Sequence, residues 1–208
     1  MASKTAYYVQ LAEDTRHQIT GSMDGWKGFL TTAARNYKYT YPEQLMIYAQ
    51  RPEATACAEY DFWNQTMHRF VRRGSKGIGL IDLSGDRPTI RYVFDVSDTG
   101  TWTNSRPVNL WEMRDEYNAA VTRALASAFS LKSLAAVRFG DSLDATAACL
   151  ATAYWDEHKE QVLDIVDDSF LYGYDELNVK VAFQRAVTDS VRYMLYWCKA
   201  SAGRLIIS

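Results

Sequence analysis

Apolar residues recur at helical spacing through the first fifty positions. Tyr8, Leu11 and Ile19, with Thr15 between them, fall on one face of a helix over 5–20. Gly21-Ser22 closes that segment, and Ser22 or Asp24 supplies a cap for a second helix over 23–36. Its Trp26, Phe29, Leu30 and Ala33 share a side. The aromatic string Tyr37-Lys38-Tyr39-Thr40-Tyr41 leads into a short helix that Pro42 opens and Arg51-Pro52 ends. Residues 59–67, with Tyr60, Trp63 and Met67, read as one more short helix.

At Arg69 the period switches to two. Phe70-Val71-Arg72 reads as a strand, Arg73-Gly74-Ser75-Lys76-Gly77 as a turn, and 78–83 as the return strand. Ser84-Gly85-Asp86-Arg87-Pro88 turns the chain again, into a strand over 89–96. There Ile90, Tyr92, Phe94 and Val96 alternate with Arg91, Val93 and Asp95. Residues 97–109 read as a loop between halves. Three helical stripes follow: Leu110, Met113, Tyr117, Val121 and Leu125; Leu143, Ala147, Leu150 and Tyr154; Val179, Phe183, Val187, Val191 and Leu195. The pattern predicts an α+β fold, mostly helical, with one small antiparallel β-meander at about 70–96 packed among helices. Residues 1–100 form its mixed half, and 101–208 a helical, acidic half packed against it in one compact unit.

Of the 208 residues, 48% are hydrophobic, enough to fill a core and to exclude a disordered chain. The net charge of −2 points to no polyanionic partner, but its distribution does. Residues 27–76 hold eight lysines and arginines against four acids, whereas 109–180 hold six against thirteen. Such polarity gives a basic face and an acidic face. Cys57, Cys149 and Cys198 are scattered and odd in number, which fits reduced thiols in the cytoplasm better than a disulfide framework or a zinc site. No apolar run approaches a signal peptide or the ~18 residues of a membrane span.

Catalytic patterns do not emerge. The chain has no phosphate-binding Gly-x-x-x-x-Gly-Lys loop, no His-Glu-x-x-His and no Gly-x-Ser-x-Gly elbow, and His17, His68 and His158 stand apart. The acids Asp164, Asp167, Asp168, Asp175 and Glu176 lack a neighbouring metal-ligating histidine, so a solvated helix end is the better reading than a metal site. The expectation is a non-enzymatic protein without cofactor or metal.

Residues 35–78 carry the candidate chemistry, because bases and aromatics interleave there. Cations neutralise phosphates, and flat rings stack on bases for about 1–3 kcal/mol each, without any fixed spacing. The candidate nucleic-acid-binding residues are Arg35, Lys38, Tyr39, Tyr41, Arg51, Arg69, Phe70, Arg72, Arg73 and Lys76. The glycines of the 72–77 turn would let backbone N–H groups approach a phosphate. The blander reading is an ordinary turn with solubilising bases, and a core role for Tyr60 and Trp63.

The same segment resembles a known family. Residues 41–56 (Tyr-Pro-Glu-Gln-Leu-Met-Ile-Tyr-Ala-Gln-Arg-Pro-Glu-Ala-Thr-Ala), then Tyr60-Asp61-Phe62-Trp63, then Arg69-Phe70-Val71-Arg72-Arg73-Gly74-Ser75-Lys76-Gly77-Ile78 are similar to the N-terminal domain of ArdC-type antirestriction proteins. The likeness extends over about 22–96. That domain binds single-stranded DNA in the family. A wider likeness up to about residue 195, including Tyr92-Val93-Phe94-Asp95-Val96-Ser97-Asp98-Thr99 and Gly173-Tyr174-Asp175-Glu176, is to the front of large helicase–methyltransferase proteins of Gram-positive conjugative elements. The resemblance implies an anti-defence protein of a mobile genetic element that binds single-stranded DNA, with RNA the other candidate strand. The family's protease-like His-Glu-x-x-His does not occur in this chain, so no hydrolytic activity carries over. Where the family often has Asn at the start of the short helix, Glu43 puts an acid beside the expected DNA face. Two other functions stay open. One is a protein-directed inhibitor of a restriction enzyme or CRISPR nuclease that uses the acidic half as a DNA mimic. The other is a targeting or oligomerisation module that presents the Val179 to Leu195 stripe.

Overall fold

A computed structural model describes residues 4–82, 88–110, 114–129, 138–167 and 175–200. The chain divides into two compact units, Met1–Trp111 and Glu112–Ser208. The fold is α+β and mostly helical, with a small antiparallel sheet, as the hydrophobic pattern predicts.

Three helices of the first unit, α1 (Lys4–Thr20), α2 (Met23–Arg35) and α3 (Tyr41–Gln50), pack on one another. Their boundaries are written locally. Ser22 Oγ accepts the Gly25 N–H at 3.0 Å and starts α2. At the start of α3 the Glu43 carboxylate accepts the Thr40 N–H at 2.9 Å, completing a capping box. Pro42 lies in the first turn, where its missing N–H costs nothing. The stripe read on α1 holds: Tyr8, Thr15 and Ile19 are buried. Tyr8 joins Met46 and Ile47 of α3, and Ala54, Ile78, Leu80 and Val93, in one core cluster.

Strands β1 (Cys57–Glu59), β3 (Ile78–Asp82) and β4 (Thr89–Asp95) form an antiparallel sheet in the order β1-β4-β3. The β3–β4 hairpin is the one expected, although positions 83–87 of its turn lie outside the described residues. The meander is not formed as read. Strand β2 (Arg69–Val71) leaves β3 and pairs instead with β5 (Thr99–Thr101), inside the segment expected to be loop. The cause lies in side chains far away in sequence. The Gln50 amide accepts the Gly79 N–H at 2.9 Å and donates to the Gly79 carbonyl at 2.8 Å, taking a place on β3. Opposite β2, Gly100 offers a flat bed for the Phe70 ring, which any Cβ there would overlap. The expected helix at 59–67 forms over 60–66, with Phe62–Thr66 wound as a π-helical turn. Trp63 is buried there and donates its indole N–H to the Phe94 carbonyl at 2.8 Å. Tyr60, read as core, is exposed. On β4 the enclosed residues are Val93 and Asp95, not the aromatic set.

Asp95 ends β4 almost completely enclosed. One oxygen accepts the N–H groups of Thr55 and Ala56 at 2.7 and 2.9 Å; the other accepts the Ser97 N–H and hydroxyl at 3.0 and 2.6 Å. These bonds tie β1 to β4 and start the 3-10 turn Val96–Asp98 that leads into β5.

In the second unit α4 (Asn118–Ala128), α5 (Phe139–Asp167) and α6 (Glu176–Ala200) carry the expected helical character. Asp144 meets Arg192 at 2.8 Å and Lys159 meets Glu176 at 2.7 Å, so α5 and α6 run antiparallel. The buried line on α5 is Leu143, Ala147, Ala151 and Trp155; the expected Tyr154 faces outward, stacked on His158 at 4.1 Å. The α6 stripe from Val179 to Leu195 is buried or half-buried, with Phe183 against Trp155 at 5.7 Å. That is a core face, which removes it as a free partner surface. Met113, and the chain beyond Ala200, lie outside the described residues. Among the described residues no helix is long and apolar enough to cross a membrane.

Burial alone would raise the Asp95 carboxyl pKa, but the bonds from Ser97, Ala56 and Thr55 outweigh it and hold the group below the usual carboxylate range. A depressed folded-state pKa stabilises the fold fully above the unfolded value of about 3.9. That stabilisation is lost as pH falls through the lower, folded value. Asp95→Asn turns an NH2 toward N–H donors. We expect it to cost about 2–4 kcal/mol at neutral pH and to flatten the acid limb. Urea unfolding of both proteins from pH 7 to pH 3 measures this; equal stability at pH 7 would contradict the role given to Asp95.

Candidate nucleic-acid interface

Arginines from two elements and a turn converge on residues 97–99. Arg51, at the end of α3, pairs with the Asp98 carboxylate. Arg69, on β2, donates from Nε to Thr99 Oγ1 at 2.8 Å. Arg72, just past β2, donates its guanidinium to the Ser97 carbonyl at 2.8 Å and its backbone N–H to the Asp98 carbonyl at 2.8 Å. The Ser75 N–H then reaches back to the Arg72 carbonyl at 3.1 Å, closing a turn in which Gly74 takes φ +89°. A side chain rarely tolerates that left-handed geometry, so the glycine is required there. Arg72, Arg73 and Lys76 are exposed around it.

The partners sort these cations by availability. Burial would lower the Arg51 pKa, yet the bond and charge of Asp98 raise it, and only 20% of the side chain is exposed. Arg51 therefore serves to hold the strip, while Arg72, Arg73 and Lys76 face solvent. The ring count changes too. Phe70 is half-buried over Gly100 and meets the Trp102 ring at 4.7 Å. Trp102 is 59% exposed, so it presents the free face. Sequence reasoning passed over it because 97–109 looked like loop. The available signal was a large aromatic set among polar residues in Gly-Thr-Trp-Thr-Asn.

The other candidates lie elsewhere. Arg35, Lys38 and Tyr39 border a cleft of about 430 Å³ along β1, together with Tyr37, Phe62 and Trp63. The Tyr39 hydroxyl donates to the Cys57 carbonyl at 2.8 Å, and burial raises its pKa well above the usual phenol range. Burial also pushes the Cys57 thiol up to about 12, which keeps it protonated and unreactive. Arg35 donates to the Glu53 carbonyl at 3.4 Å, and desolvation lowers its pKa against the attraction of Asp95. Tyr41 belongs to neither group: it stands exposed at the start of α3, edge-on to Phe29 at 5.7 Å.

Glu43 is already engaged. Burial would raise its pKa, but the Thr40 cap and the ion pair with Arg91 lower it, and Arg91 also holds Glu59 at 2.8 Å. In the second unit, Asp175 accepts the Asn178 N–H at 2.8 Å and Glu176 pairs with Lys159. Asp168 lies outside the described residues. Among the described residues no group of three or more His, Cys, Asp or Glu is placed to hold a metal. Comparison with protein-family models, with curated proteins and with solved structures finds no match for this chain.

Proposed function

We propose that the Met1–Trp111 unit is a non-enzymatic module that binds single-stranded nucleic acid, with an antirestriction-like, anti-defence role in a mobile genetic element. The observation that carries this reading is the arginine strip on residues 97–99, bordered by the Gly74 turn and the exposed Trp102. Arg72, Arg73 and Lys76 neutralise successive phosphates, and backbone N–H groups of the turn assist them. Trp102 stacks on a base, which only an unpaired strand offers. DNA is the favoured strand, because the segment 41–78 resembles the ArdC-type domain. The same resemblance supports the anti-defence role.

A second reading has one observation in its favour. Asp156, Glu157, Glu160 and Asp164 are all exposed and project from one sector of α5, with about 6 Å of axial rise between positions four apart. A regular row of carboxylates mimics a phosphate backbone before a basic nuclease channel.

The two readings part on mutation. Arg72→Glu with Arg73→Glu should weaken binding of a labelled oligo-dT by at least about 100-fold by anisotropy, each lost phosphate contact adding to the effect. Wild-type affinity in a folded double variant would sink the first reading. Inhibition of a restriction or CRISPR nuclease that disappears in Asp156→Asn/Glu160→Gln/Asp164→Asn, with oligo-dT binding intact, would establish the second; inhibition unchanged by those substitutions would remove it.

A further inference from the structure

We infer that the cleft beside β1 is a base pocket: it takes one unstacked nucleobase of the bound strand, with the adjoining phosphate on Arg35 and Lys38. The inference rests on the single-strand reading above and assigns that function a second contact point.

The cleft has the size and lining for such a guest. Its volume of about 430 Å³ falls among ligand pockets, which run from about 300 to 1,000 Å³. Tyr37, Tyr39, Phe62 and Trp63 give it aromatic walls, and Tyr37 and Phe62 are exposed at its mouth. A splayed base is held by such rings in single-strand recognition. The two cations place positive charge beside the rings, the pairing a nucleotide needs and an uncharged apolar ligand does not. The nearest buried carboxylate, Asp95, has its oxygens committed to Thr55, Ala56 and Ser97. Asn36 also borders the cleft. It spends its NH2 on the Thr32 and Ala54 carbonyls, leaving a buried Oδ1 without a partner among the described residues. Such an orphan acceptor calls for a ligand or an ordered water.

An added peptide strand fits less well. Strand β1 has three residues, and the Cys57 carbonyl is already taken by Tyr39. That leaves no ladder long enough for strand addition. The cleft shares part of its scaffold with the arginine strip. Ala56, in its wall, accepts the Val96 N–H at 2.9 Å, and Val96 precedes Ser97 and Asp98.

The test is photo-crosslinking of the whole chain to oligo-dT carrying a single 5-iododeoxyuridine, moved along the strand, with adducts mapped by mass spectrometry. Expected is an adduct on Tyr37, Tyr39 or Phe62 at one register. Tyr37→Ala and Phe62→Ala, both exposed positions, should each lose affinity by about 5- to 100-fold, and Lys38→Glu should do the same. If the oligonucleotide binds but adducts fall only on Phe70 and Trp102, and the cleft variants bind like wild type, the inference is overturned while the function stands. If no oligonucleotide binds at all, both fall.

Discussion

An ionised carboxylate enclosed in a protein must have its lone pairs filled, or it destabilises the fold by several kcal/mol. Asp95 meets that requirement with donors from two separate stretches of chain, residues 55–56 and Ser97. Satisfying one buried charge thereby fixes the start of β1 beside the end of β4 and bends the chain into the turn at Val96–Asp98. The arginine strip hangs from that bend. The Asp98 side chain holds Arg51, its carbonyl holds the Arg72 backbone, and Thr99 holds Arg69. The wall of the β1 cleft descends from the same bonds.

This arrangement divides labour among like charges. Five arginines and lysines close in sequence look equivalent, but their partners separate them. Arg51 and Arg69 are engaged internally and set the shape of the strip, while Arg73 and Lys76 stay at the surface. Arg72 does both, since one guanidinium N–H binds Ser97 and the side chain remains exposed. Of the cations at the surface, Arg72 is held by the Ser97 carbonyl, so fewer of its rotamers would be frozen by a bound anion.

What could be read from sequence follows the range of the interactions responsible. Caps, the Pro42 start and the Tyr8–Ile19 stripe depend on residues within one or two turns, and all three appear in the structure as written. The β3–β4 hairpin is likewise local. The pairing of β2 with β5 depends on Gln50 occupying Gly79 and on Gly100 lying under Phe70, contacts 29 and 30 positions apart that no short window contains. The line of α5 slipped by one residue because Ala151 is too small to stand out beside Leu150. In the site, the Gly74 turn and its cations were legible from composition. The engagement of Arg51 by Asp98 and the exposure of Trp102 arise only once β5 is in place.

The central claim is that this chain engages phosphates and bases of an unpaired strand through the strip on residues 97–99. Its most direct test is anisotropy with labelled single-stranded and duplex DNA of one length across a salt series. A single-strand contact contributes a slope of about −0.7 in log K against log salt for each phosphate. Three exposed cations, Arg72, Arg73 and Lys76, predict a slope of about −2 or steeper for the single strand, with the single strand bound more tightly than duplex at every salt. No binding at low salt, or equal binding of duplex and single strand, would contradict the account.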